Sequence, residues 1–445
     1  MPKKTVHFVC NQCGESFLRW MGKCTACGAF NTLQEFRETA VEKTAIKGIN
    51  LTEKNEKSSV LPEEKPRIKT HIDELDRVTG GGFFPGSLVL FGGHPGVGKS
   101  SLALQIFSAV PDAMYFSGEE SREQVLHRSK RLQIAEKKWR DIFSTHSVED
   151  IVETTAKEKP SVVIVDSIQM VGLSHSNFGS VSQIRDNAEI FLKLAKSSGS
   201  VIILIGHVTK NDELAGPKML EHMVDLVLHL EGERQTGIRL LRSPKNRFGS
   251  AQEIGVFEMR NEGLMPLKNP SDFFLAERLP GSPGSTITAV REGNRNLLLE
   301  LQGLSARTNF GQPRRTASGF DIAKFHLLLA VVSRFTPFGC EAFDAYANVV
   351  GGLRISDPAA DLALIAAVLS SRIGKEISAD TMIFGEVGLG GEIRRVPHAE
   401  SRILEAEKLG FKRVICPPEK FENKTKIHVE KVHRISDLIR ILWPK

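Results

Sequence analysis

The run Gly93-His94-Pro95-Gly96-Val97-Gly98-Lys99-Ser100 constrains this chain more than any other stretch, because it fills every fixed position of the G-x-x-x-x-G-K-[ST] pattern. Such a loop works only between a strand and a helix, where inward-facing N–H groups and the helix N-terminus meet phosphate oxygens. Both neighbours are legible: Ser87 to Phe91 is short and apolar, and Ser101 to Phe107 follows with helical periodicity. Lys99 is expected to reach the β- and γ-phosphates and Ser100 to ligate Mg²⁺. The backbone from Gly93 through His94, Pro95, Gly96, Val97 and Gly98 to Ser101 is expected to form the nucleotide cradle. ATP and Mg²⁺ are thus the expected ligands of an α/β domain.

Apolar strand-like runs alternate with helical stretches around this loop, at Leu88–Phe91, Met114–Phe116, Val162–Val165, Val201–Ile205, Leu226–Leu230 and Ile238–Leu241. That alternation predicts a parallel sheet with helices on both faces. Val162-Val163-Ile164-Val165-Asp166 reads as a Walker B strand beside the phosphate loop, its terminal Asp166 sharing the Mg²⁺ with Ser100. Ser117-Gly118-Glu119-Glu120-Ser121 follows another strand, at the sheet edge where ligands gather. Glu119 or Glu120 is expected to orient the attacking water, and spacing does not choose between them. In Ser243-Pro244-Lys245-Asn246-Arg247-Phe248-Gly249 the two cations stand two residues apart, so an extended backbone turns both to one side. Lys245 and Arg247 can then stabilise transferring phosphoryl oxygens, in trans if they reach a neighbouring subunit.

Four of the six cysteines crowd the N-terminus: Cys10 and Cys13, then ten residues, then Cys24 and Cys27. Two C-x2-C knuckles at this separation suit tetrahedral Zn²⁺, and four thiolates close the coordination sphere, so the metal is structural. Cys340 and Cys416, isolated among apolar neighbours, read as inert core thiols. The zinc module is expected at 1–33, a polar linker at 34–66, the ATPase domain at 67–270 and a further domain at 271–445. No apolar run reaches the ~18 residues of a membrane span, and the N-terminus lacks a signal-peptide core, which leads us to expect a cytoplasmic protein. The net charge of +6 permits a polyanionic partner without demanding one.

The four cysteines, GGHPGVGKSSLALQ, SGEES, VVIVDS, GHVTK, AGPKMLEHMVD and KNRFG, in this order and over nearly the whole chain, resemble the RadA (Sms) family of bacterial DNA repair proteins. The resemblance implies a RecA-like P-loop ATPase core with an N-terminal zinc ribbon-like module and a C-terminal α+β Lon-protease-like domain. It also implies a DNA-stimulated ATPase that forms a homo-hexameric ring, moves on single-stranded DNA, and drives branch migration of branched DNA together with a RecA-type recombinase. His207 and Lys210 are implied nucleotide sensors, and 172–180 and 211–218 resemble central-channel loops. Within the Lon-like segment the nucleophile's place falls on Ala359 and the lysine's on Arg402, so peptidase activity is not expected. Arg314, Arg315, Arg394 and Arg395 remain for double-stranded DNA contact. A KaiC-like signalling ATPase and an ATP-dependent protease are the alternative readings.

Overall fold

The computed structural model describes residues 6–10, 16–17, 19–25, 28–37, 66–173, 180–206, 219–232, 237–308, 312–421 and 425–444. At the N-terminus, β1 (Val6–Cys10), β2 (Ser16–Phe17) and β3 (Leu33–Arg37) form an antiparallel sheet in the order β2-β1-β3. β3 pairs with β1 from Cys10↔Leu33 to Val6↔Arg37. The ribbon therefore continues to Arg37 rather than ending at residue 33, since Gln34 and Glu35 are polar strand residues and not the first of a linker. Cys10 and Cys24 are buried. Cys13 and Cys27 lie outside the described residues.

The P-loop sheet is built from β4 (Leu88–Gly93), β5 (Met114–Ser117), β6 (Ile142–Ser144), β7 (Val162–Asp166), β8 (Val201–Ile205) and β9 (Leu226–Glu231), all parallel. β10 (Ile238–Asn246), β11 (Ile254–Arg260) and β12 (Gly263–Pro266) extend it to the order β12-β11-β10-β9-β4-β8-β7-β5-β6. Every residue of β4, β7 and β8 is buried, as expected of parallel strands covered on both faces. The helix Val181–Ser198, capped by the Ser180 hydroxyl, returns the chain so that β8 enters between β4 and β7. The strand that ends in Asp166, β7, is thus one strand removed from β4, with β8 between them.

The C-terminal sheet is mixed. β13 (Ser285–Glu292) and β14 (Arg295–Arg307) form a hairpin in register from Ser285↔Gln302 to Glu292↔Arg295. β15 (Arg315–Ser318), β16 (Phe343–Val349), β17 (Thr381–Ile383), β20 (Arg413–Cys416) and β21 (His428–Lys431) complete the order β15-β16-β14-β13-β17-β20-β21. The short pair β18 (Glu386–Val387) and β19 (Ile393–Arg394) stands apart from it. The helix Asp361–Ile373 buries every residue from Asp361 to Ser370, so it reads as a core helix rather than an amphipathic one.

Two compact units result. One comprises Met1–Glu231, Leu241–Ala251 and Arg260–Leu264; the other comprises Gly232–Leu240, Gln252–Met259 and Met265–Lys445. The second unit therefore begins before residue 271 and takes parts of β10 and β11. The reason is packing: Ile238, Leu240, Ile254 and Val256 share a core cluster with Phe274, Leu297 and Leu299. Among the described residues no helix is long and apolar enough to cross a membrane.

Candidate nucleotide site

The loop leaves β4 at Gly93, whose φ is 151°; a Cβ there would stand 2.5 Å from the Leu230 carbonyl oxygen. Gly98, at φ 115°, caps the helix Lys99–Ala109 with no side-chain hydrogen bond, and the first turn carries no acid. An 11-residue helix thus opens with backbone N–H groups that no side chain of the cap occupies. Val97 is buried, Ser100 and Ser101 are half-buried, and Pro95 and Gly96 are exposed. Lys99 is only 5% exposed; its Nζ donates to the carbonyls of Gly93 at 2.7 Å and His94 at 3.1 Å. Burial pushes its amine below the usual lysine range, against the opposing pull of Asp166 and Glu119. The cradle has the donors, the glycine backbone and the cation that a triphosphate needs.

Asp166 ends β7 and is 7% exposed. One of its oxygens, Oδ2, accepts a 2.6 Å hydrogen bond from the Tyr115 hydroxyl on β5. Burial, with the Asp166 charge beside it, drives the Tyr115 pKa well above its ordinary value, so the phenol remains a donor. Sequence reasoning missed Tyr115, because an aromatic in an apolar strand reads as core. Its only signal was its place two residues before Ser117, the residue level with Asp166 in the register.

The adjacent acids part company. The Ser117 hydroxyl accepts from Glu120 N–H at 3.0 Å and donates to the Glu120 carbonyl at 2.8 Å, which fixes the turn after β5. The Glu120 carboxylate is taken by Arg128 on the helix Arg122–Arg131. Glu119 is exposed, and its charge acts on Lys99.

Lys245 lies near the end of β10 and Arg247 just beyond it. Lys245 Nζ donates to the carbonyls of Glu221 and His222, and Arg247 Nη2 to that of His222 at 3.3 Å, so both reach one end of the helix Met219–Met223. Arg247 Nη1 also pairs with Asp225 at 3.2 Å. Asp225, 3% exposed, accepts in addition from Leu88 N–H at 3.1 Å and Lys196 Nζ at 2.9 Å. Next to it, Phe248 stacks on Phe84 with centroids 4.2 Å apart, and its carbonyl accepts from Arg67. The Lys-Asn-Arg-Phe-Gly segment is consequently anchored to its own chain at several points. His207, Lys210, 174–179 and 211–218 lie outside the described residues.

In the C-terminal unit Ala359 and Arg402 are both buried. Arg402 pairs with Asp357 at 2.8 Å and donates to the carbonyls of Ala289 and Pro397. Asp357 also accepts from the N–H groups of Arg291 at 2.7 Å and Ala359 at 3.0 Å. A buried guanidinium needs such partners, and Asp357 brings Arg402 and the Ala359 N–H to one carboxylate. Cys416 and Cys340 are both buried, which pushes the Cys416 thiol up to about 12 and raises that of Cys340. Arg394 pairs with Glu392, Arg395 donates to the Pro418 carbonyl, the Arg314 N–H donates to Asp344, and Arg315 binds the carbonyls of Phe343 and Cys340.

A phosphate loop at the carboxyl ends of a parallel sheet, with a lysine and a strand-terminal aspartate converging on it, defines a P-loop ATPase of RecA-like fold, here joined to a zinc ribbon and a Lon-like α+β unit. Residues 8–35 match the family described as the rubredoxin metal binding domain, 349–420 that of subunit ChlI of Mg-chelatase, and 67–256 a family of unknown function (DUF7125). The chain is 43% identical over 454 residues to DNA repair protein RadA of Bacillus subtilis (strain 168), covering 99% of each. It is 44% identical over 426 residues to DNA repair protein RadA of Pseudomonas aeruginosa, covering 94% of each. The chain belongs to the RadA family of DNA repair proteins. Among solved structures it is similar to the RadB recombinase, with 20% identity over 45% of this chain and 99% of that one at a TM-score of 0.38. A KaiC-like protein from Pyrococcus horikoshii gives 19% identity, the same coverages and a TM-score of 0.39.

Proposed function

We propose that this protein is a DNA-stimulated ATPase that moves on single-stranded DNA and drives branch migration of recombination intermediates with a RecA-type recombinase, working as a homo-hexameric ring. The observation that carries the ATPase part of the reading is the phosphate loop between β4 and the helix Lys99–Ala109, with buried Lys99 bonded to the loop carbonyls and Asp166 at the end of β7. Lys99 and the loop N–H groups bind the triphosphate, displacing the lysine from the Gly93 and His94 carbonyls. Ser100 and the Asp166 oxygen opposite Oδ2 would hold Mg²⁺, which when bound neutralises charge on the β- and γ-phosphates. Glu119 accepts the proton of the attacking water, since Glu120 is committed to Arg128. Lys245 and Arg247 serve the nucleotide of the neighbouring subunit, which requires them to leave the Glu221 and His222 carbonyls. The C-terminal unit acts as a scaffold for assembly and for double-stranded DNA.

Turnover of ATP with and without single-stranded DNA tests the reading. Wild type should be stimulated severalfold, while Lys99→Ala should fall below about one tenth of wild type with an unchanged circular dichroism spectrum. Turnover indifferent to DNA would favour a signalling ATPase.

A further inference from the structure

The zinc ribbon exposes two of its largest side chains. Its buried side chains among the described residues are Cys10, Cys24 and Leu33, whereas Trp20 is 58% exposed and Phe30 70% exposed. Both sit on one small turn. Lys23 and Phe30 form an antiparallel bridge, Asn31 N–H donates to the Gly22 carbonyl at 2.8 Å, and Cys24 N–H donates to the Ala29 carbonyl at 2.8 Å. The Trp20 ring reaches over this turn, with Cη2 3.9 Å from where a Cβ on Gly22 would stand. Backbone pairing, with buried Cys24 at its base, thus holds the two aromatics on one knuckle.

Cations stand among them. Lys23 Nζ lies 5.0 Å from the Phe30 ring centroid, and Arg19 and Lys23 are both exposed. Residues 1–37 carry Lys3, Lys4, Arg19, Lys23 and Arg37 against Glu15 and Glu35 alone. This composition distinguishes between partners. The core of a protein interface is depleted of lysine, whereas a surface that follows a phosphate backbone while bases stack on its rings needs cations between the aromatics.

We infer that the Trp20–Phe30 knuckle is a contact for single-stranded DNA, with bases stacked on the two rings and phosphates met by Arg19 and Lys23. Every base offers a π-face, so the contact is indifferent to sequence, as a moving motor requires. The inference rests on the DNA-motor reading and adds a second DNA contact to it, outside the ATPase sheet.

The test uses the full-length, zinc-loaded protein and a fluorescein-labelled oligo-dT, with anisotropy read at several salt concentrations. Trp20→Ala with Phe30→Ala should weaken binding at least tenfold, while Trp20→Phe with Phe30→Tyr restores it. Zinc content and DNA-free ATP turnover should match wild type in both. Emission that oligo-dT quenches in wild type but not in Trp20→Phe would place a base on the indole. Wild-type affinity in the alanine pair overturns the inference and leaves the motor reading standing. So does retained oligo-dT binding with lost stimulation by the recombinase, which assigns the knuckle to a protein. If wild type itself fails to bind oligo-dT, both fall.

Discussion

Tyr115 and Asp166 show how much of a site can rest on one hydrogen bond. The 2.6 Å bond from the buried phenol commits one oxygen of Asp166, and under the proposed function the other would serve the water shell of a bound Mg²⁺. Tyr115→Phe keeps the ring's packing and removes only the donor. We expect the Mg²⁺ concentration for half-maximal turnover to rise severalfold, with Mg²⁺-free nucleotide binding unchanged; an equal loss at saturating Mg²⁺ would mean a merely structural role. At this scale the sequence was legible where chemistry imposes a fixed spacing. The strand and helix on either side of the loop, and the strand that ends in Asp166, lie where the sequence pattern puts them, because glycine spacing and apolar runs mark those elements locally. The different surroundings of Glu119 and Glu120 were not legible, since they depend on Arg128 in the next helix and on the Ser117 bonds that orient the turn.

Elements carry the next two expectations. In the ribbon, replacing Cys24 and Cys27 with Ser should release close to one equivalent of zinc and unfold β1 to β3 while sparing ATP turnover, because metal binding and folding are one process in so small a sheet. Metal analysis, proteolysis and an ATPase assay check the three parts. In the C-terminal unit, the helix Asp361–Ile373 opens with a fully buried carboxyl that burial raises to about 6, despite Lys324 at 2.7 Å. The folded state therefore holds this proton more tightly than the unfolded chain, whose Asp titrates near 3.8. The contribution is fully present below about pH 4 and is lost as pH rises through 6, a cost of roughly 3 kcal/mol at neutrality. Asp361→Asn should flatten that component, so the variant's stability relative to wild type should increase from pH 4 to pH 7 in denaturant titrations. Element boundaries were the least legible part of the fold. Strand β10 runs on through Pro244 to Asn246, and β3 through polar Gln34 to Arg37, because backbone pairing with a neighbour overrides local composition.

At the scale of the whole molecule the proposed ring can be tested without an image of it. If Arg247 works on the neighbour's nucleotide, Arg247→Ala should bind ATP nearly normally yet lose DNA-stimulated turnover. Mixing it with Lys99→Ala subunits should restore part of that turnover at interfaces where one subunit brings the intact loop and the other the intact arginine. No recovery in mixed rings would assign Arg247 to its own chain, where Asp225 already holds it.

The path of β10 and β11 bears on how the protein is made. Ile238, Leu240, Ile254 and Val256 are translated before Phe274, Leu297 and Leu299, the residues whose core they join. A growing chain that has just reached residue 270 thus carries apolar side chains whose named core partners, through Leu299, are still to be added. Messages truncated near codon 270 should yield a product that chaperones retain or that aggregates. Completion of this cluster thus depends on residues translated after the strands that begin it.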